Sequence, residues 1–112
     1  MTPFTERVIA IIKQIPSGTV MTYGQIAAWA GSPRAARQVV RILHSMSKKY
    51  QLPWHRVINS QGKIRIKDDD MAALQMLYLQ GEGVEVSRNR YVDLKRYQLR
   101  SSMMEEDELF RL

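Results

Sequence analysis

The feature that most constrains this 112-residue chain is a short helix, a glycine turn and a two-faced helix in immediate succession. Thr22 followed by Gln25 forms a capping box, in which each side chain satisfies a backbone N–H of the other residue. The helix it opens is expected to run to about Ala30, where Gly31 closes it. Ser32-Pro33 then reads as the cap and first turn of a second helix, expected over about Pro33 to Met46. At roughly 100° per residue, Ala36, Val39, Val40 and Leu43 share one side of that helix. Arg34, Arg37 and Arg41 cluster on the opposite side. Two helices joined by a tight turn are a helix-turn-helix, and outward arginines suit the second one to DNA.

The flanking segments fit a single small domain. Thr2 and Pro3 start a helix whose stripe is Phe4, Val8, Ile11, Ile12 and Ile15, and Pro16-Ser17-Gly18 ends it. Val57-Ile58 and Lys63-Ile64-Arg65-Ile66 flank Asn59-Ser60-Gln61-Gly62, which predicts a short hairpin or wing. Asp68-Asp69-Asp70 can cap a third long helix with a stripe that includes Leu74, Leu77 and Tyr78. Gly81-Glu82-Gly83 breaks it, and Val84-Glu85-Val86 reads as a short strand. The expected fold class is mainly α: a winged-helix-like helix-turn-helix DNA-binding domain with a small β-hairpin. The domain is expected over residues 1–100. Residues 101–112 form an acidic tail expected to be mobile, although Leu109, Phe110 and Leu112 offer a way to dock it.

Composition narrows the chemistry. The chain has no cysteine, which removes disulfides, thiolate metal sites and thiol catalysis. No segment approaches the roughly 18 unbroken apolar residues of a membrane span, and the start lacks the layout of a signal peptide. A cytoplasmic location with no membrane partner is expected. The net charge of +6 understates how basic the body is, because Glu105, Glu106, Asp107 and Glu108 crowd the tail. Residues 1–100 hold 16 Lys and Arg against 7 Asp and Glu, a balance of +9. Such a body suits a polyanion, most simply nucleic acid; charge alone equally fits a solvated, soluble surface.

The run Pro53-Trp54-His55-Arg56-Val57 resembles the active-site motif Pro-Cys-His-Arg-Val of the O6-alkylguanine-DNA alkyltransferases, with tryptophan where the alkyl-accepting cysteine stands. Other segments match that family in order. Thr19-Val20-Met21-Thr22-Tyr23 with Gln25-Ile26-Ala27 resembles the opening of its helix-turn-helix. Ser32-Pro33-Arg34-Ala35-Ala36-Arg37 with Val39 resembles its recognition helix, and Glu82-Gly83 matches a later Glu-Gly pair. The resemblance covers about residues 3–97 and, for want of the cysteine, points to the alkyltransferase-like proteins, its non-enzymatic relatives.

The resemblance implies roles residue by residue. Arg37 matches the arginine finger that fills the space of an extruded base, and Tyr23 the tyrosine that presses on the target phosphate. Without the family match, Arg37 reads as a phosphate contact and Tyr23 as a half-buried core residue. Trp54 is expected to lie against the flipped base, where aromatic stacking contributes roughly 1–3 kcal/mol. In the enzymes His55 acts with Glu82 through a bridging water to deprotonate the cysteine. Here the pair has nothing to activate, so Pro53, His55, Arg56 and Glu82 are expected to support the pocket. The enzymes' Tyr-Ser pair is replaced by Ile66-Lys67-Asp68-Asp69. Alkyltransferase-like relatives use a basic residue at the position of Lys67 to contact the lesion base.

The implied function is recognition of O6-alkylguanine in double-stranded DNA by nucleotide flipping, with no catalysis, no metal and no cofactor. The implied partners are that DNA and damage-recognition proteins of nucleotide-excision repair, and a monomer is expected. A sequence-specific transcription regulator is the alternative. That reading leaves Pro53 to Val57 and Glu82 without a purpose, and no dimer element is evident to place two half-sites.

Overall fold

Thr2 caps the first helix by accepting from the Thr5 N–H, and Pro3 occupies its first turn, where a missing N–H costs nothing. This helix, α1 (Pro3–Lys13), buries Val8, Ile9, Ile11 and Ile12. The computed structural model describes residues 1–101. After α1 come β1 (Met21–Thr22), α2 (Tyr23–Trp29), α3 (Ala36–Tyr50), a 3₁₀ turn at Trp54–Arg56, β2 (Val57–Ile58), α4 (Asp69–Gly81) and α5 (Leu94–Tyr97). The described residues are mainly helical, with one two-stranded sheet among them. The expectation of a mobile acidic tail falls, apart from Ser101, outside the described residues.

The helix-turn-helix forms with one shift in register. The Thr22–Gln25 capping box is present in both directions, at 3.1 and 3.3 Å. Residues 32–35, however, make a turn closed by the Ala35 N–H on Ser32 O, and α3 starts only at Ala36. The Ser32 carbonyl is taken by this i→i+3 bond and not by the i→i+4 bond that a helix starting at Pro33 would make. Arg34 therefore sits in the turn, not on the helix. At its other end α3 continues past Met46 to Tyr50, and Gln51 ends it with a left-handed φ of 53°.

The sheet is not the expected hairpin. Val57 and Ile58 pair in parallel with Met21 and Thr22. Asn59 Oδ1 accepts from the N–H groups of Gln61 and Lys63, at 3.0 and 2.9 Å, which turns the chain away from β2. Residues 62–64 bond instead to a later segment. The Val92 N–H donates to Gly62 O at 2.7 Å, and the Ile64 N–H to Arg90 O at 2.9 Å. A Cβ at Gly62 would stand 2.4 Å from Val92 O, so the approach requires glycine. Val84–Val86 does not form the strand its alternation suggested; Val84 closes the end of α4 through its N–H on Leu79 O.

Two apolar clusters result. One joins α1, α2 and α3 with Leu52, Val57 and Leu99. The other gathers Val20, Ile58, Ile64, Ala72, Leu79, Val84, Val92 and Tyr97. Asp68 caps α4 by accepting from the Asp70 and Met71 N–H groups. The buried stripe of α4 is Ala72, Gln75 and Leu79, whereas Leu77 is 63% and Tyr78 43% exposed. The expected Leu74–Leu77–Tyr78 stripe is thus rotated from the true one. A buried glutamine on the inward face hid the phase.

Candidate nucleic-acid interface and base pocket

Leu52, which is buried, and Pro53 lead into the 3₁₀ turn that carries Trp54, His55 and Arg56. This turn packs on α4. Gln75, 3% exposed, reaches from α4 with Nε2 3.1 Å from His55 O and 3.2 Å from Val57 O. It satisfies two carbonyls of the motif and fixes the path of its backbone. Nothing in the motif pointed to Gln75. The spacing Ala72–Gln75–Leu79 is the signal that could have found it.

Behind the turn lies a carboxylate hub. Arg56 Nη2 donates to Glu82 Oε2 at 2.7 Å, and Arg56 Nε lies 3.0 and 3.1 Å from the two oxygens. Nη1 donates to Ile15 O at 2.8 Å, tying the hub to the end of α1. The Gly18 N–H donates to Glu82 Oε1 at 3.1 Å from a backbone with φ of 85°. A Cβ there would press to 3.3 Å on Glu82 O. His55 Nε2 stands 2.8 Å from Glu82 Oε2. Burial alone would raise the carboxyl pKa, but hydrogen bonds from Arg56, His55 and Gly18 outweigh it and hold Glu82 at about 2.

An ionised carboxylate only accepts, so His55 must present Nε2–H to it. A carboxylate held at about 2 is also a poor proton acceptor near neutral pH, so it orients the imidazole and does not drain protons from it. The contact between His55 and Glu82 is direct. Both side chains are largely covered, at 13% and 15% exposure.

In front of the hub opens a cleft of about 1300 Å³. Tyr23, Pro53, Trp54, His55 and Lys67 all line it, together with Ile66, Met71 and Tyr78. Trp54 meets His55 and Tyr78 edge-on, each ring centroid 6.2 Å away, and His55 meets Tyr78 at 5.2 Å. Tyr78, read from the sequence as part of a core stripe, is instead an aromatic wall. The volume exceeds the roughly 300–1,000 Å³ usual for small-molecule sites, and the cleft is open to solvent. Tyr23 leads α2, and burial raises the pKa of its phenol, which keeps it a neutral donor. Lys67 is exposed at the rim.

Arg34, Arg37 and Arg41 do not enter this cleft. They line a separate shallow groove with Ser32, Pro33 and Gln38. Its floor is the start of α3, where Ala35 offers no side-chain cap. Uncapped N–H groups beside three guanidiniums make a surface suited to phosphates.

Residues 3–84 match the family described as the 6-O-methylguanine DNA methyltransferase DNA-binding domain. The chain belongs to this family. Every candidate site residue from Tyr23 to Glu82 lies inside the matched span. A protein of Vibrio parahaemolyticus called a DNA base-flipping protein is 45% identical over 97 residues, covering 87% of this chain and 96% of the relative. Alkyltransferase-like protein 1 of Schizosaccharomyces pombe is 40% identical over 87 residues, covering 77% of this chain and 81% of the relative. The fold is similar to S. pombe Atl1 in a crystal structure with damaged DNA containing O6-carboxymethylguanine, at a TM-score of 0.79 and 35% identity. That match covers 89% of this chain and 97% of the other. Within the family, this chain keeps the DNA-binding domain and has no cysteine with which to accept an alkyl group.

Proposed function

We propose that this protein binds O6-alkylguanine in duplex DNA, rotates the nucleotide into the Trp54 cleft and leaves the alkyl group in place. The carrying observation is the cleft itself: Trp54 stands on the loop that Gln75 and the Glu82 hub hold, beside the Tyr78 ring, and no cysteine is there to take an alkyl group. The relatives that bear base-flipping names, and the similar structure holding damaged DNA, support this reading.

The division of labour follows from the two surfaces. Arg34 and Arg41 contact phosphates, and Arg37, on the first turn of α3, fills the gap left by the extruded base. A planar, permanently charged guanidinium can stack there and bond to the orphaned partner. Extrusion costs a few kcal/mol, less where the alkyl group has already weakened pairing. Tyr23 bonds the phosphate of the rotated nucleotide. Trp54 and Tyr78 offer apolar surface to the base and its substituent, each buried CH₂ contributing up to about 0.8 kcal/mol. Lys67 approaches the lesion base from the rim. His55, Arg56, Glu82 and Pro53 hold the loop. With no transfer step, the product is a persistent protein–DNA complex, and we assign it to the damage-recognition proteins of nucleotide-excision repair as a signal carried by a monomer. A transcription regulator has no use for such a cleft.

The test is affinity for two duplexes that differ only in one O6-alkyl group, read beside transfer of a labelled methyl group from that DNA to protein. Preference for the alkylated duplex with no labelling is expected. Equal affinity for the two duplexes, or stoichiometric labelling, would overturn the proposal.

A further inference from the structure

The rim of the cleft has a second side. In residues 63–67, Ile64 is 2% exposed and Ile66 half-buried, while Lys63, Arg65 and Lys67 alternate with them. The isoleucines turn inward, which leaves Arg65 and Lys67 exposed and Lys63 half-buried. Facing them is the turn at Arg88–Arg90. It is pinned by the Ile64 N–H on Arg90 O and by an antiparallel bridge between Lys63 and Tyr91. Between the two segments runs a groove of about 560 Å³ whose lining includes five cations, Lys63, Arg65, Lys67, Arg88 and Arg90, against one acid, Asp69. Asp69 neutralises little, since its carboxylate lies 3.9 Å from Arg90 and is 91% exposed.

Arg90 itself has a φ of 67°, in the left-handed region that glycine or asparagine adopts at less cost. A cation at a position where the backbone favours another residue is a place to look for function. The turn also lies beyond residues 3–84, the span matched by the family.

We infer that this groove is a second phosphate track, holding the DNA backbone on one flank of the nucleotide that enters the cleft. The inference rests on the proposed base-flipping function, because the cleft and the groove share one wall: Lys63, Arg65, Ile66 and Lys67 line both. A strand that delivers a nucleotide to one side of that wall brings its neighbouring phosphates to the other. Five cations beside one acid complement such a backbone.

The experiment measures affinity for duplexes trimmed stepwise on either flank of the central position, with and without the lesion. Wild type should weaken more on trimming one flank than the other. Arg88→Gln with Arg90→Asn should bind the untrimmed duplex more weakly and become indifferent to trimming that flank. Its log–log salt slope should flatten by up to about 1.8, about 0.9 for each phosphate that the variant no longer neutralises. The ratio of affinities for alkylated and plain duplex should stay the same, and Tm should hold or rise, since asparagine tolerates the left-handed turn. Lys95→Gln with Arg96→Gln removes equal charge from α5 and should leave the flank dependence intact. If the groove variant keeps the wild-type slope and flank dependence, the cations are only solvated. If the control pair abolishes flank dependence equally, the effect is net charge and not a track. Flank dependence is also read on plain duplex, so a wild type without lesion preference would sink the base-flipping proposal while leaving this measurement intact.

Discussion

The two halves of the molecule share aliphatic packing and differ in what is added to it. The α1–α2–α3 half is a helical core of aliphatic side chains, closed by caps and by a glycine turn at Gly31 with φ of 94°. The half that carries the cleft has its own aliphatic cluster, around Ile58, Leu79 and Val84, and adds polar groups with specific partners. Glu82 bonds Arg56, His55 and Gly18, and Gln75 holds two carbonyls of the motif. Aliphatic packing is non-directional and tolerates small shifts, so it makes a platform. A charged hub is directional and fixes a loop to within a hydrogen-bond length, which is what a pocket needs.

The sharpest way to break the platform is a cavity. Ile12 is fully buried in the helical cluster. Ile12→Ala should destabilise by about 3–4 kcal/mol, from lost burial plus the void it leaves. Urea unfolding reads this directly, and the loss should vary little between pH 7 and pH 3, since no titrating group takes part.

The hub should answer differently. Glu82→Gln leaves Arg56 without its counter-ion and should cost about 2–3 kcal/mol at neutral pH. Here the loss depends on pH. The folded-state pKa of about 2 lies below the ordinary 4.5, so the carboxylate's contribution is complete above about 4.5. It disappears as pH falls towards about 2. The gap between wild type and variant should therefore close on acidification. A gap that stays constant down to pH 2 would mean that the hub is held by shape and not by charge.

Gln75 separates folding from recognition. Gln75→Leu keeps the volume but strands the carbonyls of His55 and Val57, and about 1–2 kcal/mol of stability should go. Since Arg34, Arg37 and Arg41 line a different groove, affinity for plain duplex should hold while the preference for alkylated duplex declines. Parallel binding isotherms on the two duplexes check this. An equal loss on both would tie the pocket loop to the basic face.

The contrast also explains what the sequence made legible. Caps and periodicity are local, so Thr2, the Thr22–Gln25 box, Asp68 and the stripe of α1 could be read directly. The hairpin could not. Whether Val57-Ile58 pairs forward with residues 63–66 or back with Met21-Thr22 is decided by tertiary packing, and the Asn59 turn serves either outcome. The cleft residues Tyr23, Trp54 and Lys67 were found by resemblance, because nothing local brings them together. Tyr78 and Gln75 escaped because each inverts the usual pattern: an aromatic faces the solvent side and an amide faces the core.

The smallest effect tests that inversion. Leu77 belongs to an apolar periodicity, yet it is 63% exposed. Leu77→Ser removes little buried surface, and the remaining cost is the lower helix propensity of serine, about 0.5 kcal/mol or less. Leu79, two residues on, is fully buried in the second cluster, and Leu79→Ala belongs with Ile12→Ala in magnitude. Comparing the two melts fixes the rotation of α4 about its axis. A large loss from Leu77→Ser would put the sequence-derived stripe back against the core. It would also turn Tyr78 inward and take away the aromatic wall opposite Trp54. A negligible loss keeps Tyr78 at the cleft, where edge-on contacts with Trp54 and His55 leave its outer surface for an incoming base.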